Sequence, residues 1–327
     1  MDIRKLNDFL HLIDLKPMGI EDTIASYVLR GDKVAIIETG PTVSIGNLLD
    51  GLERIDVKTE EVDYVAVSHV HIDHAGGAGT LLHYLPNAKL LVHERGVPHL
   101  INPEKLWTQA RQVLREVAEL YEEIKSVPKE RIITATDGMK IDLGQNVELR
   151  VVETLGHASH HLSFYESKGD AIFSGDAAGI YLNKFGVIVP TTPAPLNLEM
   201  TLASINRLAE MNPKNLYYTH FGQVGDTVRR LETYKNRLKL WAEVVLEEMK
   251  TEDDPYKIYQ KILVRDPEID AVSDFLQNHL IFRRGILMQS IQGFTEYFKK
   301  TRISNNSQAS SVFGPKGQEA SGPNQSP

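Results

Sequence analysis

The segment Ser68-His69-Val70-His71-Ile72-Asp73-His74-Ala75-Gly76-Gly77 gathers three imidazoles and a carboxylate into the six residues from His69 to His74. Neutral imidazole nitrogen and carboxylate oxygen are ligands that zinc, iron and manganese accept, so the chemistry on offer is the holding of a metal ion. So many polar side chains would make a poor core. The apolar run over 62–67 comes just before and reads as a buried strand, which delivers the cluster at a strand's end, where α/β proteins usually place chemistry. In an extended segment side chains alternate, which predicts His69, His71 and Asp73 on one side and His74 swinging separately at the turn. Gly76-Gly77 then lets the backbone fold tightly beneath the cluster.

A lone His-x-His is a weak signal. The full His-x-His-x-Asp-His between a strand and Gly-Gly is a strong one, and three further residues follow in order: His157 in Leu155-Gly156-His157, Asp176 in Phe173-Ser174-Gly175-Asp176, and His220 in Tyr218-Thr219-His220-Phe221-Gly222. Together these motifs resemble the signature of the metallo-β-lactamase superfamily, over roughly residues 18 to 222.

The resemblance implies an α/β fold of four layers, an αββα sandwich, and two divalent metal ions, zinc first, with iron or manganese as alternatives. Carried over residue by residue, it implies His69, His71 and His157 on the first metal, Asp73, His74 and His220 on the second, and Asp176 bridging them. It also implies the reaction. A metal-bridging hydroxide, available because a bound divalent ion brings the pKa of water down to about 7 in the best-known zinc case, attacks a carbonyl that the metals polarise. Asp73 would orient that nucleophile. The expected function is therefore a binuclear metal-dependent hydrolase of a small thioester, lactone or related ester, similar in kind to glyoxalase II. The alternative on the same fold is a mononuclear iron-dependent persulfide dioxygenase, with iron on His69, His157 and Asp176. A nuclease of this fold would bring a basic exosite or an added nucleic-acid domain, and a flavodiiron-type oxygen reductase would carry Glu where this chain has His71.

Substrate contacts are less legible. In glyoxalase II a basic residue after the bridging Asp and a Tyr just past the last His help hold glutathione. Lys184 stands near the first place, but Phe221-Gly222 follows His220, so that contact is not reproduced. Tyr181, Asn183 and Lys184 follow Asp176 closely enough to be expected at the substrate. His160 and His161 adjoin His157 and are candidates for fixing its outer nitrogen, since metal-bound imidazoles need that atom held. Arg283-Arg284 offer an anchor for a substrate carboxylate, against the plainer reading of a solvated helix face.

Composition narrows the field. Hydrophobic residues make up 42% and charged residues 24%, ordinary for a globular protein. The net charge of −8, from 36 basic against 44 acidic residues, disfavours nucleic acid as a partner. The chain has no cysteine, which removes a disulfide framework, a thiolate ligand and the β-lactamase subclass that uses one. The start, Met1-Asp2-Ile3-Arg4-Lys5, lacks the apolar core of a signal peptide, and no apolar run approaches the roughly 20 residues of a membrane span. A cytoplasmic enzyme with a small-molecule substrate and no membrane partner is the expectation, with a homodimer as a secondary one.

The elements around the motifs follow from periodicity. Strands are predicted over 23–29, 33–38, 62–67, 89–93, 140–143, 147–152, 161–165, 171–173 and 215–219, with helices over 43–52, 78–84, 103–125, 198–211 and 227–250, a shorter one opening at Asp254-Pro255, and the same apolar helical pattern over 267–300. The prolines over 189–195 predict an ordered loop over the surface. Three divisions result: a catalytic domain over 1–223, a helical region over 224–300 packed on it, and a disordered tail over 301–327, too poor in apolar residues to offset ordering entropy.

Overall fold

The computed structural model describes residues 2–251, 254–282 and 285–312, with side chains as far as Thr301. Arg283-Arg284 and 313–327 lie outside the described residues.

Strands β1 (Ile3–Asn7), β2 (Leu10–Asp14), β3 (Ala25–Arg30), β4 (Val34–Ile37), β5 (Val62–Ala66), β6 (Lys89–His93) and β7 (Ile132–Ala135) form one sheet in that order. Its neighbours are antiparallel from β1 to β4 and parallel from β4 to β7. Strands β8 (Lys140–Asp142), β9 (Glu148–Glu153), β10 (Leu162–Glu166), β11 (Ala171–Phe173), β14 (Asn215–Tyr218) and β15 (Gly222–Val224) form a second sheet in the order β15-β14-β11-β10-β9-β8. Between β11 and β14 in the chain, β12 (Ile180–Leu182) and β13 (Val187–Val189) make a separate hairpin.

Side-chain alternation makes the layers. Ala25, Tyr27 and Leu29 of β3 share one buried cluster with Leu149 and Val151 of β9 and Phe164 of β10, so this cluster lies between the sheets. Val28 of β3 and Ile36 of β4 point the other way, onto helices α1 (Ile45–Arg54), α3 (Ala78–Tyr84) and α6 (Glu116–Tyr121). On the second sheet Tyr217 points inward, whereas Leu216 and Tyr218 meet helices α7 (Leu198–Glu210) and α8 (Thr227–Glu248). The result is the expected αββα sandwich. Helices α9 (Pro255–Arg265), α10 (Pro267–Asn278) and α11 (Ile286–Val312) join that outer cluster through Ile258, Ile269 and Ile291. Among the described residues no helix is long and apolar enough to cross a membrane.

Four expectations need correction. The helix over 103–125 is two helices, α5 (Glu104–Leu114) and α6, broken at Arg115 with φ 53 and ψ −120. The break turns α6 so that Ala118 and Tyr121 bury, while no residue of α5 does. The apolar pattern over 267–300 is likewise interrupted between α10 and α11, because a stripe of period 3.6 continues across a corner. The proline segment runs over the surface only in its second half, where Pro195 is exposed; Thr191 and Thr192 in its first half are buried. Ser290 of α11 makes that burial tolerable, its Oγ accepting from Thr192 N–H at 3.1 Å and donating to the Pro190 carbonyl at 3.0 Å. Finally, α11 carries on to Val312, so the start of the expected tail is helical; extending a docked helix costs far less than nucleating one.

Candidate metal centre

Every residue of the motif lies in the segment that follows a strand: β5, β9, β11 or β14. The loop after β5 enters helix α2 (Ile72–Ala75), with His71 as the residue before its first turn. That turn corrects the expectation of an extended segment. The helical turn brings Asp73 and His74 to His220, while the ring of His74 stays 4.1 Å from that of His69. The parallel pair β11 and β14 brings Asp176 and His220 to one sheet edge, where Ser174 N–H donates to the Tyr217 carbonyl at 3.0 Å.

Three groups of ligand-type atoms result, each within 4.8 Å: His69, His71 and His157; His69, His74 and Asp176; Asp73, His74 and His220. His71 Nδ1 lies 2.8 Å from His69 Nε2 and 3.2 Å from His157 Nε2. His74 Nε2 lies 3.2 Å from His220 Nε2, which is 3.5 Å from Asp73 Oδ2. Asp176 stands between the groups, with Oδ2 at 3.4 Å from His157 Nε2 and Oδ1 at 3.3 Å from His74 Nε2. His69, His74, His157, Asp176 and His220 are all buried.

The outer hydrogen bonds fix which nitrogens face inward. His157 Nδ1–H donates to the Thr191 carbonyl at 2.8 Å and His220 Nδ1–H to the Thr23 carbonyl at 2.7 Å, and a carbonyl can only accept. In the neutral rings Nε2 therefore presents a lone pair to the interior. Lone pairs converging at about 3 Å repel unless a proton or cation lies between them, and the buried Asp176 Oδ1 has no hydrogen-bond partner. The residues present thus fit a metal centre.

Electrostatics agree. Burial pushes His69 well below the usual histidine range and His71 to about 3, helped by neighbouring rings, so both are neutral donors at pH 7. Burial works against the charge of His74, but Asp176, Glu38 and Asp73 outweigh it and hold its pKa well up; His220 is raised in the same way by Asp73 and Asp176. Burial likewise opposes the charge of Asp176, yet His74 and His157 hold it well below the carboxylate range. Loading a metal must displace protons from His74 and His220, so affinity rises with pH.

Several supporting residues escaped the sequence reading. Glu38, buried just past β4, accepts through Oε1 from Ser68 N–H and Thr219 Oγ–H and lies 3.3 Å from His74 Nδ1. Its signal was present, an acidic residue directly after a buried strand in Ile36-Ile37-Glu38. Glu38→Gln is expected to weaken binding of the metal that touches His74 by about 10–100-fold, the usual cost of losing a carboxylate behind a ligating imidazole. Competition with a chromophoric chelator at pH 6 and pH 8 measures it, and unchanged affinity at both values would remove Glu38 from this role. Ser68 Oγ lies 2.9 Å from His69 Nδ1.

The flanking histidines behave differently from expectation. His161 Nε2 accepts from the Asp176 N–H at 3.0 Å while its Nδ1 pairs with Thr154 Oγ1 at 2.8 Å, so it holds the bridging residue's backbone and not the outer nitrogen of His157. Gly175 permits this approach: at φ 51, a Cβ there would sit 2.6 Å from the Ser68 side chain and 2.7 Å from His161. His160 lines the cleft, its ring 6.2 Å from those of His71 and His99.

A cleft of about 510 Å³ opens onto His71, Asp73, His157, Asp176 and His220. Tyr181, Asn183 and Lys184, expected close to the site, do not line this cleft. The β12–β13 hairpin carries them away: Tyr181 is buried against Tyr218 and beneath Arg230, while Asn183 and Lys184 are exposed in the turn. Ile180 faces the cleft in their place. Tyr121 also lines it, buried, with a hydroxyl that has no hydrogen-bond partner.

Comparison with known proteins adds to this geometry. The family model for the metallo-beta-lactamase superfamily matches residues 19–220. The metallo-beta-lactamase fold-containing protein ST1585 of Sulfurisphaera tokodaii is 31% identical over 67% of this chain and 80% of its own length, and its crystal structure superposes with a TM-score of 0.62 over 71% of this chain and 86% of that one. A metallo-beta-lactamase family protein of Thermus thermophilus, TTHA1429, shares the fold over 91% of this chain and 95% of its own, with a TM-score of 0.68 at 22% identity. A hydroxyacylglutathione hydrolase of Buchnera aphidicola is 27% identical over 49% of this chain, which spans about half (51%) of that relative.

Proposed function

The chain belongs to the metallo-β-lactamase superfamily, and from that premise we propose that it is a binuclear metal-dependent hydrolase of a thioester, lactone or related ester. The observation that carries this reading is Asp176, whose two carboxylate oxygens face two different sets of imidazole nitrogens. His69, His71 and His157 would hold one ion, Asp73, His74 and His220 the other, and Asp176 both. Such ions supply Lewis acidity for a carbonyl and lower the pKa of bound water.

The protein's own part is positional. The Thr191 and Thr23 carbonyls hold the Nδ1–H of His157 and His220, so that Nε2 is the nitrogen each ring turns inward to bind. Asp73 is partly exposed, its side chain 28% accessible, and lines the cleft, so it can accept a hydrogen bond from the attacking water and orient it. Its carboxylate is kept ionised against the pull of burial by His74 and His220. Relatives named as hydroxyacylglutathione hydrolases support a thiol ester within the substrate class.

The test is elemental analysis together with a panel of thioesters, lactones and esters, on protein purified without chelator and on protein stripped and then reloaded. About two ions per chain and turnover that falls with stripping and returns with reloading are expected. No turnover above a His69→Ala control across the panel would overturn the reading, and a single iron with persulfide-dependent oxygen uptake would replace it with the dioxygenase.

A further inference from the structure

Helix α5 is amphipathic, yet none of its residues is buried. Its apolar positions Leu106, Ala110 and Val113, together with Val117 of α6, line the cleft that opens onto the metal-type ligands, and Val113 is 57% exposed. The connection into α11 adds Phe282 and Ile286 to the same lining. Leu106, Ala110 and Val117 are partly buried against the core beneath, and the aliphatic surface they make with Val113, continuous with the reacting centre, gains by being covered further.

The lining also indicates what covers it. Sugars and nucleotides are recognised by dense arrays of hydrogen-bonding groups, and flat aromatic ligands by ring faces. The described lining is largely aliphatic, with Val70, Ile72, Leu106, Val113, Val117 and Ile286 among it, and apart from histidines its rings are Tyr121 and Phe282. The hydrogen-bonding side chains gather at the metal-type ligands, with glutamines, Thr191 and Ser290 elsewhere in the lining. We propose that α5, α6 and the start of α11 form an acyl site, so that the substrate is a thioester or lactone bearing an extended aliphatic chain. This rests on the hydrolase reading for the reacting carbonyl, whereas the chain site itself rests on the cleft alone.

The arrangement predicts a dependence on chain length. Each methylene that leaves water for the cleft raises affinity about fourfold, until the cleft is filled. Calorimetric titration of metal-free full-length protein with butanoate and dodecanoate is expected to show at least ~100-fold tighter binding of the longer acid, and kcat/KM of acyl thioesters on the metal-loaded protein should rise with chain length in parallel. Val113→Asp, at an exposed position where folding is not at stake, should cut the ratio of long-chain to short-chain affinity at least tenfold. Val264→Asp, 80% exposed on α9, is the control.

Equal affinity for both acids, or a ratio untouched by Val113→Asp, overturns the acyl site even if short thioesters are hydrolysed. Chain-length-dependent binding without hydrolysis of any thioester or lactone leaves the chain site standing and overturns the hydrolase reading, which separates the two. A dimer that Val113→Asp converts to monomer, with no preference between the acids, assigns the α5 face to a second copy of the chain and likewise overturns the proposal.

Discussion

Asp176→Asn is expected to leave at most one metal per chain and to lower kcat/KM by ~10³-fold, because it removes the one carboxylate that faces both sets of imidazoles. Binding and polarisation by a second ion are worth several kcal/mol of transition-state stabilisation, and about 1.4 kcal/mol is a factor of ten. The amide keeps the shape of the side chain but not its charge, and it turns an N–H₂ toward either His74 Nε2 or His157 Nε2, which now sit 3.3 and 3.4 Å from carboxylate oxygens. Metal content and kcat/KM read the effect. A variant that keeps both ions and turns over within tenfold of the parent would show that Asp176 does not bridge.

The same substitution has a signature in the metal-free protein. His74, raised above 6.5 by Asp176, Glu38 and Asp73, contributes stability that is complete below pH 6.5 and lost as pH rises through its folded pKa. Asp176, depressed below 3.8 by His74 and His157, contributes stability that is present above pH 3.8 and lost as pH falls through its own folded pKa. The pair therefore stabilises the metal-free fold most between those values, and Asp176→Asn should cost most in that window. A loss of stability independent of pH would mean that the substitution acts through packing.

How much of this was legible in the sequence divides along physical lines. The residues His69 to His74, His157, Asp176 and His220 were readable because imidazoles and carboxylates crowded at strand ends serve little purpose except to hold a metal, and the structure draws all of them into three overlapping groups. The sandwich followed from the family resemblance those residues carry, while composition and periodicity placed individual strands such as β3 and β9. What failed depended on contacts between distant segments. Ser290 lies far along the chain from Pro190 and Thr192, and that contact, with His157 on the Thr191 carbonyl, lets the first half of the proline segment pass through the interior. Tyr181 was expected at the substrate because it follows Asp176 closely, but the turn at 183–186 reverses the chain and closes a hairpin first. Glu38 was missed because an acidic residue after a strand is usually exposed, and its burial becomes tolerable only once Ser68, Thr219 and His74 surround it.

The second large effect lies far from the metal-type ligands. Arg237 of α8 is buried and pairs with the buried Asp266 through two bonds, Nε to Oδ2 at 2.8 Å and Nη2 to Oδ1 at 3.2 Å. Its Nη1 donates to the Ile188 carbonyl of β13 at 2.6 Å, and Trp241 Nε1 donates to Asp266 Oδ2 at 3.0 Å. Asp266 also caps α10, accepting from Ile269 N–H at 3.4 Å. One carboxylate thus ties α8 to α10, and its guanidinium partner ties both to the hairpin that carries Ile180 into the cleft. Asp266→Ala removes the buried one of the two carboxylates on this guanidinium and leaves only Glu268, which pairs with Nη2 from the exposed side; it is expected to cost about 3 kcal/mol, with the lost cap adding about 1. Because the cost comes from the stranded charge and not from a large net gain of the pair, Arg237→Met combined with Asp266→Leu should recover most of it. Denaturant midpoints of the single and double variants decide this: a single variant within 1 kcal/mol of the parent, or a double variant no better than the single, would show that the pair is not what fastens these helices. The loss should also reach the cleft, since α10 leads into the segment bearing Phe282 and Ile286, so at temperatures where Asp266→Ala remains folded its KM for a long-chain substrate should rise before its kcat falls.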